Sequence, residues 1–273
     1  MTDMLGPYAL GRVHCADCLE ALKALPDGCV PMIWTDPPYG HKNNDDDDLA
    51  ARWEAALGLG DAAVGPTRPI ANDDRAGRDR VVQGMLAEAG RVLNKDCCCC
   101  CCGGGGGPDP LFARASLEMD VPPLEFFHAV VWDKGGLGMG WRYRRNYEFI
   151  LVAKRRGGKL LWATESSGMD TANVVRIGKI IPSAQQHPTQ KPVELIRHFL
   201  RLHTKPGDLV LDPFAGAGST GVACAEMGRR FLGFEIDPHW AEVANQRIAA
   251  AATGLTLAEY RTGQGQLFES KDA

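Results

Sequence analysis

The fold of this chain is predicted best by residues 208–236, which read DLVLDPFAGAGSTGVACAEMGRRFLGFEI. The apolar run 208–211 predicts a buried strand, a Gly-rich turn follows, 219–227 predicts a helix, and 231–236 predicts a second strand. Strands that alternate with helices form parallel sheets covered by helices on both faces. The stretch therefore predicts an α/β protein with a mostly parallel sheet.

The Gly-rich turn in this stretch has the spacing of a nucleotide-binding loop. The pattern Gly216-x-Gly218-x-x-Gly221 opens the helix, and Glu235 ends the next strand about twenty residues further on. Glycines let the backbone approach a ligand, and a carboxylate at that strand end can accept both hydroxyls of a ribose. Taken alone, the segment leaves open an NAD-dependent oxidoreductase, an enzyme with another ribose-containing cofactor, and a turn that binds nothing.

The rest of the chain continues the alternation of apolar runs and amphipathic stretches. Further strands are expected at about 10–14, 29–35, 97–102, 126–133 and 147–154, and further helices at 18–25, 78–92, 193–203 and 238–252. Residues 40–75 are polar and interrupted by Gly and Pro, which predicts a long loop insertion with one helix near 49–57. Residues 155–186 are expected to be irregular, and the tail from Thr253 to be loosely held. The pattern predicts one domain over residues 1–273.

Charge is segregated along the chain. The net charge is -4 and an acidic run occupies 45–48, yet 134–159 carries eight basic residues against one acid, Glu148. A local basic patch of this kind is enough for nucleic-acid binding. Neither an apolar run of about 20 residues, as a membrane span needs, nor the basic-then-apolar pattern of a signal peptide is evident. We therefore expect no membrane partner and a cytoplasmic location.

The ten cysteines include six consecutive residues, 97–102. Cys15 and Cys18 form a CxxC, which is half of a zinc site or a redox pair in other proteins. No second such pair stands apart from the run, so we expect no metal site and assign the cysteines to packing as small apolar residues. Alternation along a strand would send three thiols of the run to each face, as suits a strand covered on both sides.

The sequence Asp36-Pro37-Pro38-Tyr39 follows an apolar strand and suits a planar amino group. Such a group on an aromatic base is a weak nucleophile because its lone pair is delocalised into the ring. If the Asp36 carboxylate and the Pro37 carbonyl each accept one of its hydrogens, the lone pair is directed towards a methyl donor. The carboxylate can also take the released proton, and Tyr39 offers a flat stacking surface. A Pro-rich turn without chemistry is the alternative.

Three segments together resemble the beta-class DNA amino-methyltransferases: DPPY at 36–39, HPTQKP at 187–192 and DPFAGAG at 212–218. Their order, with the tetrad first and the cofactor loop last, is that of the class, and the resemblance spans about 13–252. It implies a circularly permuted Rossmann-like methyltransferase fold, with a mostly parallel seven-stranded sheet and helices on both faces. The chain would be a single methyltransferase catalytic domain with a short target-recognition region at about 155–186.

The resemblance implies S-adenosyl-L-methionine as the cofactor. Asp17 would contact its adenine, Thr189 and Lys191 would close the methionine end, and Glu235 would hold the ribose. The other residues assigned to cofactor binding are Cys18, Asp36, Asp212, Phe214, Ala215, Gly216, Gly218, Ser219, Thr220 and Ile236. The catalytic residues would be Asp36, Pro37, Pro38 and Tyr39.

Double-stranded DNA is the expected partner. Aromatic and basic residues interleave in WRYRR at 141–145, a pattern that serves phosphate contacts and base stacking. The residues predicted to contact DNA are Lys134, Arg142, Arg144 and Arg145. A solvated basic loop is the alternative, and the sequence leaves the oligomeric state open, a homodimer included.

The target atom is expected to be adenine N6. In the family a Ser commonly replaces the first tetrad residue of cytosine enzymes, so Asp36 favours adenine. A cytosine-N4 methyltransferase, an RNA or protein-glutamine methyltransferase and a non-catalytic DNA-binding protein remain as alternatives.

Overall fold

The computed structural model describes residues 3–38, 75–103, 119–120, 122–137, 144, 146–163, 170–180 and 190–263. The strands are β1 (Met4–Leu5), β2 (Tyr8–Ala9), β3 (Arg12–Cys15), β4 (Val30–Thr35), β5 (Leu93–Gly103), β6 (Leu124–Asp133), β7 (Tyr147–Arg155), β8 (Val174–Arg176), β9 (Leu209–Asp212) and β10 (Arg230–Glu235). The helices are α1 (Cys18–Lys23), α2 (Arg75–Val92), α3 (Val193–His203), α4 (Ser219–Met227), α5 (Pro238–Ala252) and α6 (Leu257–Thr262). The predicted insertion at about 40–75, with its helix near 49–57, lies almost entirely outside the described residues.

Eight of these strands form one sheet in the order β3-β10-β9-β4-β5-β7-β6-β8. Strand β7 is antiparallel to both of its neighbours, and the other pairs within the sheet are parallel. The α/β fold with a mostly parallel sheet is confirmed, but the sheet of the described residues has eight strands where seven were expected. The extra strand is β8, which pairs with the edge of β6 inside the stretch predicted to be irregular.

Two apolar clusters cover the two faces of the sheet, because its central strands are buried on both sides. Helices α1 and α2 pack on one face, and α3, α4 and α5 pack on the other. Strand β5 shows the alternation most clearly: Cys97, Cys99 and Cys101 face α1 and α2, whereas Cys98 and Cys100 face α3 to α5. The predicted burial of the run within the core is confirmed for these five residues, and the side chain of Cys102 lies outside the described residues.

Strand β5 also begins earlier than predicted. It starts at Leu93, directly after α2, and Leu93 pairs with Val30 of β4. The register then shifts, so that Met32 pairs with Cys98. The polar residues 94–96 are exposed at this irregularity.

A crevice is expected at the carboxyl ends of β9 and β4, which are neighbours in the sheet. From β9 the chain passes through α4 to β10 on one side, whereas from β4 it continues to α2 and β5 on the other. Connections that diverge in this way open a ligand crevice in α/β sheets. In this chain the crevice lies between Asp212, at the end of β9, and Asp36, just after β4.

The tail after α5 is more ordered than predicted. Residues Leu257–Thr262 form α6, which begins with a capping box between Thr256 and Glu259. None of the helices in the described part of the chain is both long and apolar enough to cross a membrane.

Candidate active site

The carboxyl edge of the sheet gathers most of the predicted site residues. The turn 213–218 follows β9, Glu235 ends β10, Asp17 follows β3, and Asp36 follows β4. A backbone hydrogen bond of 2.9 Å from Ala16 N to Glu235 O ties the end of β3 to that of β10. Tyr39, Arg142, Arg145 and Thr189 lie outside the described residues, and their roles stay predictions.

The Gly-rich turn after β9 is fixed by its neighbours. Gly218 has φ of 77°, in the left-handed region that favours glycine, and a Cβ there would lie 2.7 Å from the Cβ of Ala244 on α5. Ala215 N donates to Phe234 O at 2.9 Å, and the Arg247 guanidinium donates to Ala217 O. The turn is therefore held between β10 and α5, and α4 begins from it.

Glu235 faces this turn from the end of β10. Its Oε2 accepts from Gly216 N at 2.9 Å, and its Oε1 accepts from Asp237 N at 2.9 Å. Burial raises the pKa of Glu235 above its usual value. The adjacent Ile236 is 45% exposed, an apolar surface beside a carboxylate. A ribose with an attached base needs this pairing of acceptor and apolar surface.

Asp17 and Cys18 lie at the start of α1. Asp17 is the N-cap of this helix, and its Oδ1 accepts from Leu19 N at 2.8 Å. Cys18 is buried, and burial raises the pKa of its thiol to about 12, so the thiol is neutral at physiological pH. Asp17 is exposed at the site edge, whereas Cys18 contributes to the core beneath it.

Asp212 organises the turn from within. Its Oδ2 accepts from Thr220 Oγ1 at 2.5 Å and its Oδ1 accepts from Phe214 N at 3.1 Å. Burial raises the pKa of Asp212 to about 7, and the charge of Asp36 adds to the shift. Ser219 and Thr220 are also buried. The carboxylate of Asp212 therefore shapes the turn and does not face an open surface.

Asp36 is paired with Lys191, which the sequence assigned to the cofactor. Lys191 Nζ lies 2.6 Å from Asp36 Oδ2 and 3.7 Å from Glu148 Oε2. Glu148 Oε1 in turn accepts from Lys134 Nζ at 3.0 Å. Burial would raise the pKa of Glu148, but Lys191 and Lys134 together hold it below its usual value. The four side chains form a row of alternating charges that ends at Asp36.

One of the residues predicted to contact DNA, Lys134, belongs to this row of charges. The side chain of Lys134 is only 16% exposed, and its ammonium is paired with Glu148 and lies 5.9 Å from the centre of the Trp132 ring. Arg144 is exposed. Of the four residues predicted to contact DNA, the structure describes Lys134 and Arg144, and of these two Arg144 is the exposed one.

Glu148 is a site residue that the sequence did not single out. In the sequence it is the one acid in the basic stretch 134–159, and no role was predicted for it. The available signal was an acid directly before the apolar run 149–153 of strand β7. Its partners are Lys134, which directly follows β6, and Lys191 in the segment before α3, so only the folded chain brings them together.

Asp36, Pro37 and Pro38 of the tetrad and the Gly-rich turn thus lie at the same edge of a mostly parallel α/β sheet. A family model described as DNA methylase, covering amino-methyltransferases of the N6 and N4 type, matches residues 30–246. The chain belongs to this family.

Individual relatives agree with the family match. The chain is 36% identical over 284 residues to the DNA adenine methyltransferase YhdJ of Escherichia coli (strain K12), covering 90% of this chain and 85% of the relative. It is 42% identical over 107 residues to the type II methyltransferase M2.DpnII of Streptococcus pneumoniae, covering 39% of this chain and 37% of that enzyme. The match to M2.DpnII thus spans little more than a third of that relative.

The fold is shared with a solved structure. The crystal structure of the M1.HpyAVI–SAM complex superposes with a TM-score of 0.62 at 21% identity, over 87% of this chain and 98% of the other. The predicted fold and the predicted resemblance to DNA amino-methyltransferases are confirmed. The family match also decides against the oxidoreductase that the Gly-rich turn alone had left open.

Proposed function

We propose that this protein transfers a methyl group from S-adenosyl-L-methionine to N6 of adenine in double-stranded DNA. The observation that carries the proposal is the position of Asp36, at the switch point of the sheet and opposite the Gly-rich turn. The family supports DNA methylation, and the relative that aligns with most of the chain is named an adenine enzyme. The proposal includes a cytoplasmic location, where DNA is accessible.

The residues at the crevice fit S-adenosylmethionine. Each oxygen of Glu235 accepts one backbone N–H, and since a carboxylate offers about four acceptor sites, capacity remains for two ribose hydroxyls. Ile236 offers an apolar surface for the adenine, and the left-handed Gly218 keeps a side chain out of the turn. When bound, the cofactor supplies an electrophilic methyl group on a sulfonium.

Asp36 and Pro37 orient the target amino group in this proposal. The Asp36 carboxylate accepts one amino hydrogen and the Pro37 carbonyl accepts the other, which localises the nitrogen lone pair. The amino nitrogen would form the new bond to the methyl carbon as the bond from that carbon to the sulfonium sulfur breaks, which would release S-adenosylhomocysteine. One amino proton would then leave to Asp36 or to water. Tyr39 would stack on the extruded base, because a base inside a duplex must be flipped out before it can react.

In this proposal the Lys191 ammonium stabilises the charged carboxylate of Asp36, which is the form that accepts a hydrogen bond from the target amino group. A neighbouring ammonium stabilises a carboxylate, and the pair is mostly buried, with side chains 9% and 18% exposed. Glu148 compensates Lys191 from the other side, so Lys191 retains a partner when Asp36 turns towards a base. The row of charges is thus a positioning device for Asp36.

The identity of the modified nucleoside tests the proposal. Purified protein is incubated with isotope-labelled S-adenosylmethionine and unmethylated genomic DNA, and the digested nucleosides are identified by mass spectrometry. We expect labelled N6-methyldeoxyadenosine. Labelled N4-methyldeoxycytidine would establish the cytosine alternative, and label that enters only RNA or protein would overturn DNA as the substrate.

The arginines of the basic patch are expected to hold the duplex through phosphates. We predict that Arg144→Ala combined with Arg145→Ala weakens binding to all DNA sequences and lowers the slope of log affinity against log salt by about 1–2, because each phosphate contact releases counterions. Affinity for S-adenosylhomocysteine should not change. DNA binding is measured by fluorescence anisotropy at several salt concentrations.

A matched control removes two arginines elsewhere. Arg197→Ala with Arg201→Ala changes the net charge equally on α3, where both residues pair with Glu194. The control should bind DNA nearly as the wild type does. If the Arg144 and Arg145 variant methylates different sites at normal affinity, these arginines contact bases; if nothing changes, the patch is a solvated loop.

A further inference from the structure

Two cysteines of β5 and one histidine of α3 meet inside the core, away from the crevice. Cys98 Sγ and Cys100 Sγ lie 4.0 Å apart, and a ring nitrogen of His203 completes a group whose three ligand atoms all lie within 4.8 Å of one another. Cys98 and Cys100 are 0% exposed, and His203 is 3% exposed. Three donors that favour soft metals thus share one closed position on the face covered by α3 to α5.

The orientation of His203 suits a metal ligand. Its Nδ1 lies 2.9 Å from the carbonyl oxygen of Leu161, and since a carbonyl only accepts, Nδ1 carries the hydrogen. In the corresponding tautomer of the neutral ring, Nε2 keeps its lone pair. A histidine that binds a metal through one nitrogen commonly donates from the other to a backbone carbonyl.

We propose that Cys98, Cys100 and His203 form a three-ligand binding site for one Zn²⁺ ion that stabilises the fold. Two cysteines and one histidine are the protein ligands of some zinc sites, in which a water molecule takes the fourth tetrahedral position. Zn–S bonds are about 2.3 Å, so two sulfurs on one ion lie roughly 3.8 Å apart. The 4.0 Å between the two sulfurs is close to this spacing. Small movements of the His203 ring would complete the contact.

Charge balance favours a divalent ion in this apolar core. Binding replaces the two thiol protons, which leave to solvent, so Zn²⁺ and two thiolates form a unit without net charge. An unbalanced ion would be unfavourable among residues such as Trp34 and Phe199, which pack in the same cluster. The ion would fasten the end of α3 to β5, and α3 follows directly after the segment that carries Lys191.

The same strand provides a matched control on its other face. Cys99 Sγ and Cys101 Sγ lie 3.6 Å apart among the residues packed against α1 and α2, and the described residues place no histidine or carboxylate in a metal-binding group with them. Two adjacent thiol pairs of one strand therefore differ chiefly in the presence of His203.

The test measures metal content and stability and needs no activity. Protein without a histidine tag is purified under reducing conditions, and its metals are quantified by mass spectrometry for the wild type, Cys98→Val with Cys100→Val, and Cys99→Val with Cys101→Val. We expect about one zinc per chain in the wild type and the control, and at least ten-fold less in the first variant. A chelator should lower the melting temperature only of the two proteins that hold zinc.

Three outcomes would overturn the proposal. The first is a folded wild type that takes up no zinc from a competing chelator, and the second is an equal zinc content in both double variants. The third is loss of the zinc in Cys15→Ala, because Cys15 is the exposed cysteine of the CxxC and such a loss would place the metal there. If Cys98→Val with Cys100→Val does not fold, His203→Gln replaces it, because a glutamine amide can still donate to Leu161. If the wild type holds copper and Cys98→Val with Cys100→Val loses it, the three residues bind a metal but the assignment of zinc is wrong.

Discussion

Asp36→Ala is expected to reduce methyl transfer by about 100- to 10,000-fold, the range for loss of a positioned acid–base group. The Asp36 carboxylate interacts with the target amino group most strongly in the transition state, so kcat should fall and cofactor affinity should stay within a few-fold of wild type. Single-turnover methylation of DNA gives the rate, and calorimetry with S-adenosylhomocysteine gives the affinity.

The contact between Asp36 and Lys191 means that Asp36→Ala can also lower the stability of the fold. Asp36→Ala removes the closest partner of the mostly buried Lys191, whose ammonium then has Glu148 at 3.7 Å. The melting temperature of the variant must therefore be measured, and Asp36→Asn serves as a second variant that preserves shape. Asp27→Ala removes a carboxylate from a surface pair with Arg91 and should leave the rate unchanged. A folded Asp36→Ala enzyme that turns over within a few-fold of wild type would exclude Asp36 from the chemistry.

Glu235→Ala is expected to weaken binding of S-adenosylhomocysteine by one to two orders of magnitude. Hydrogen bonds to a charged group contribute about 1.5–3 kcal/mol, which corresponds to a change of this size in affinity. The variant also leaves Gly216 N and Asp237 N without their acceptor, so the turn itself should loosen. Isothermal calorimetry measures the effect, and Glu242→Ala on the exposed face of α5 is the control that removes equal charge.

The pH dependence of cofactor affinity separates the contribution of the charge of Glu235 from the contribution of its shape. Because the pKa of Glu235 is raised, the carboxylate becomes protonated at a higher pH than an exposed glutamate does. Cofactor affinity should therefore be highest above the raised pKa of Glu235 and decrease as the pH falls through it, whereas Glu235→Gln should show weaker binding without this decrease. Tight binding of NAD with no response to S-adenosylhomocysteine would contradict the assignment of the site altogether.

Several elements were predicted to the residue because their ends carry local signals. Helices α3, α4 and α5 have the predicted bounds. Helix α4 lies between Gly218 and Gly228, both in the left-handed conformation, and α5 begins after the N-cap Asp237 with Pro238 in its first turn. Glycine and proline act on the backbone of their own position, so the sequence alone determines such boundaries.

The elements that were missed depend on contacts with distant parts of the chain or on a short signal. Strand β8 has three residues, too few for a pattern, and is a strand because it pairs with the edge of β6. Helix α6 begins with a capping box whose residues, Thr256 and Glu259, are a short signal visible in the sequence. The long strand β5 was expected only over its cysteines, since the polar residues 94–96 do not continue an apolar run and lie where the sheet has a register shift.

The class of this protein follows from local motifs, because the tetrad, the Gly-rich turn and Glu235 have an order along the chain that is visible without a structure. Which side chains contact each other is known only from the folded chain. There Lys191 pairs with Asp36, Lys134 pairs with Glu148, and His203 lies beside cysteines that the sequence could assign only to packing. Pairing of charges and ligands depends on distances in space, and residues 155 positions apart are 2.6 Å from each other only when the sheet is formed.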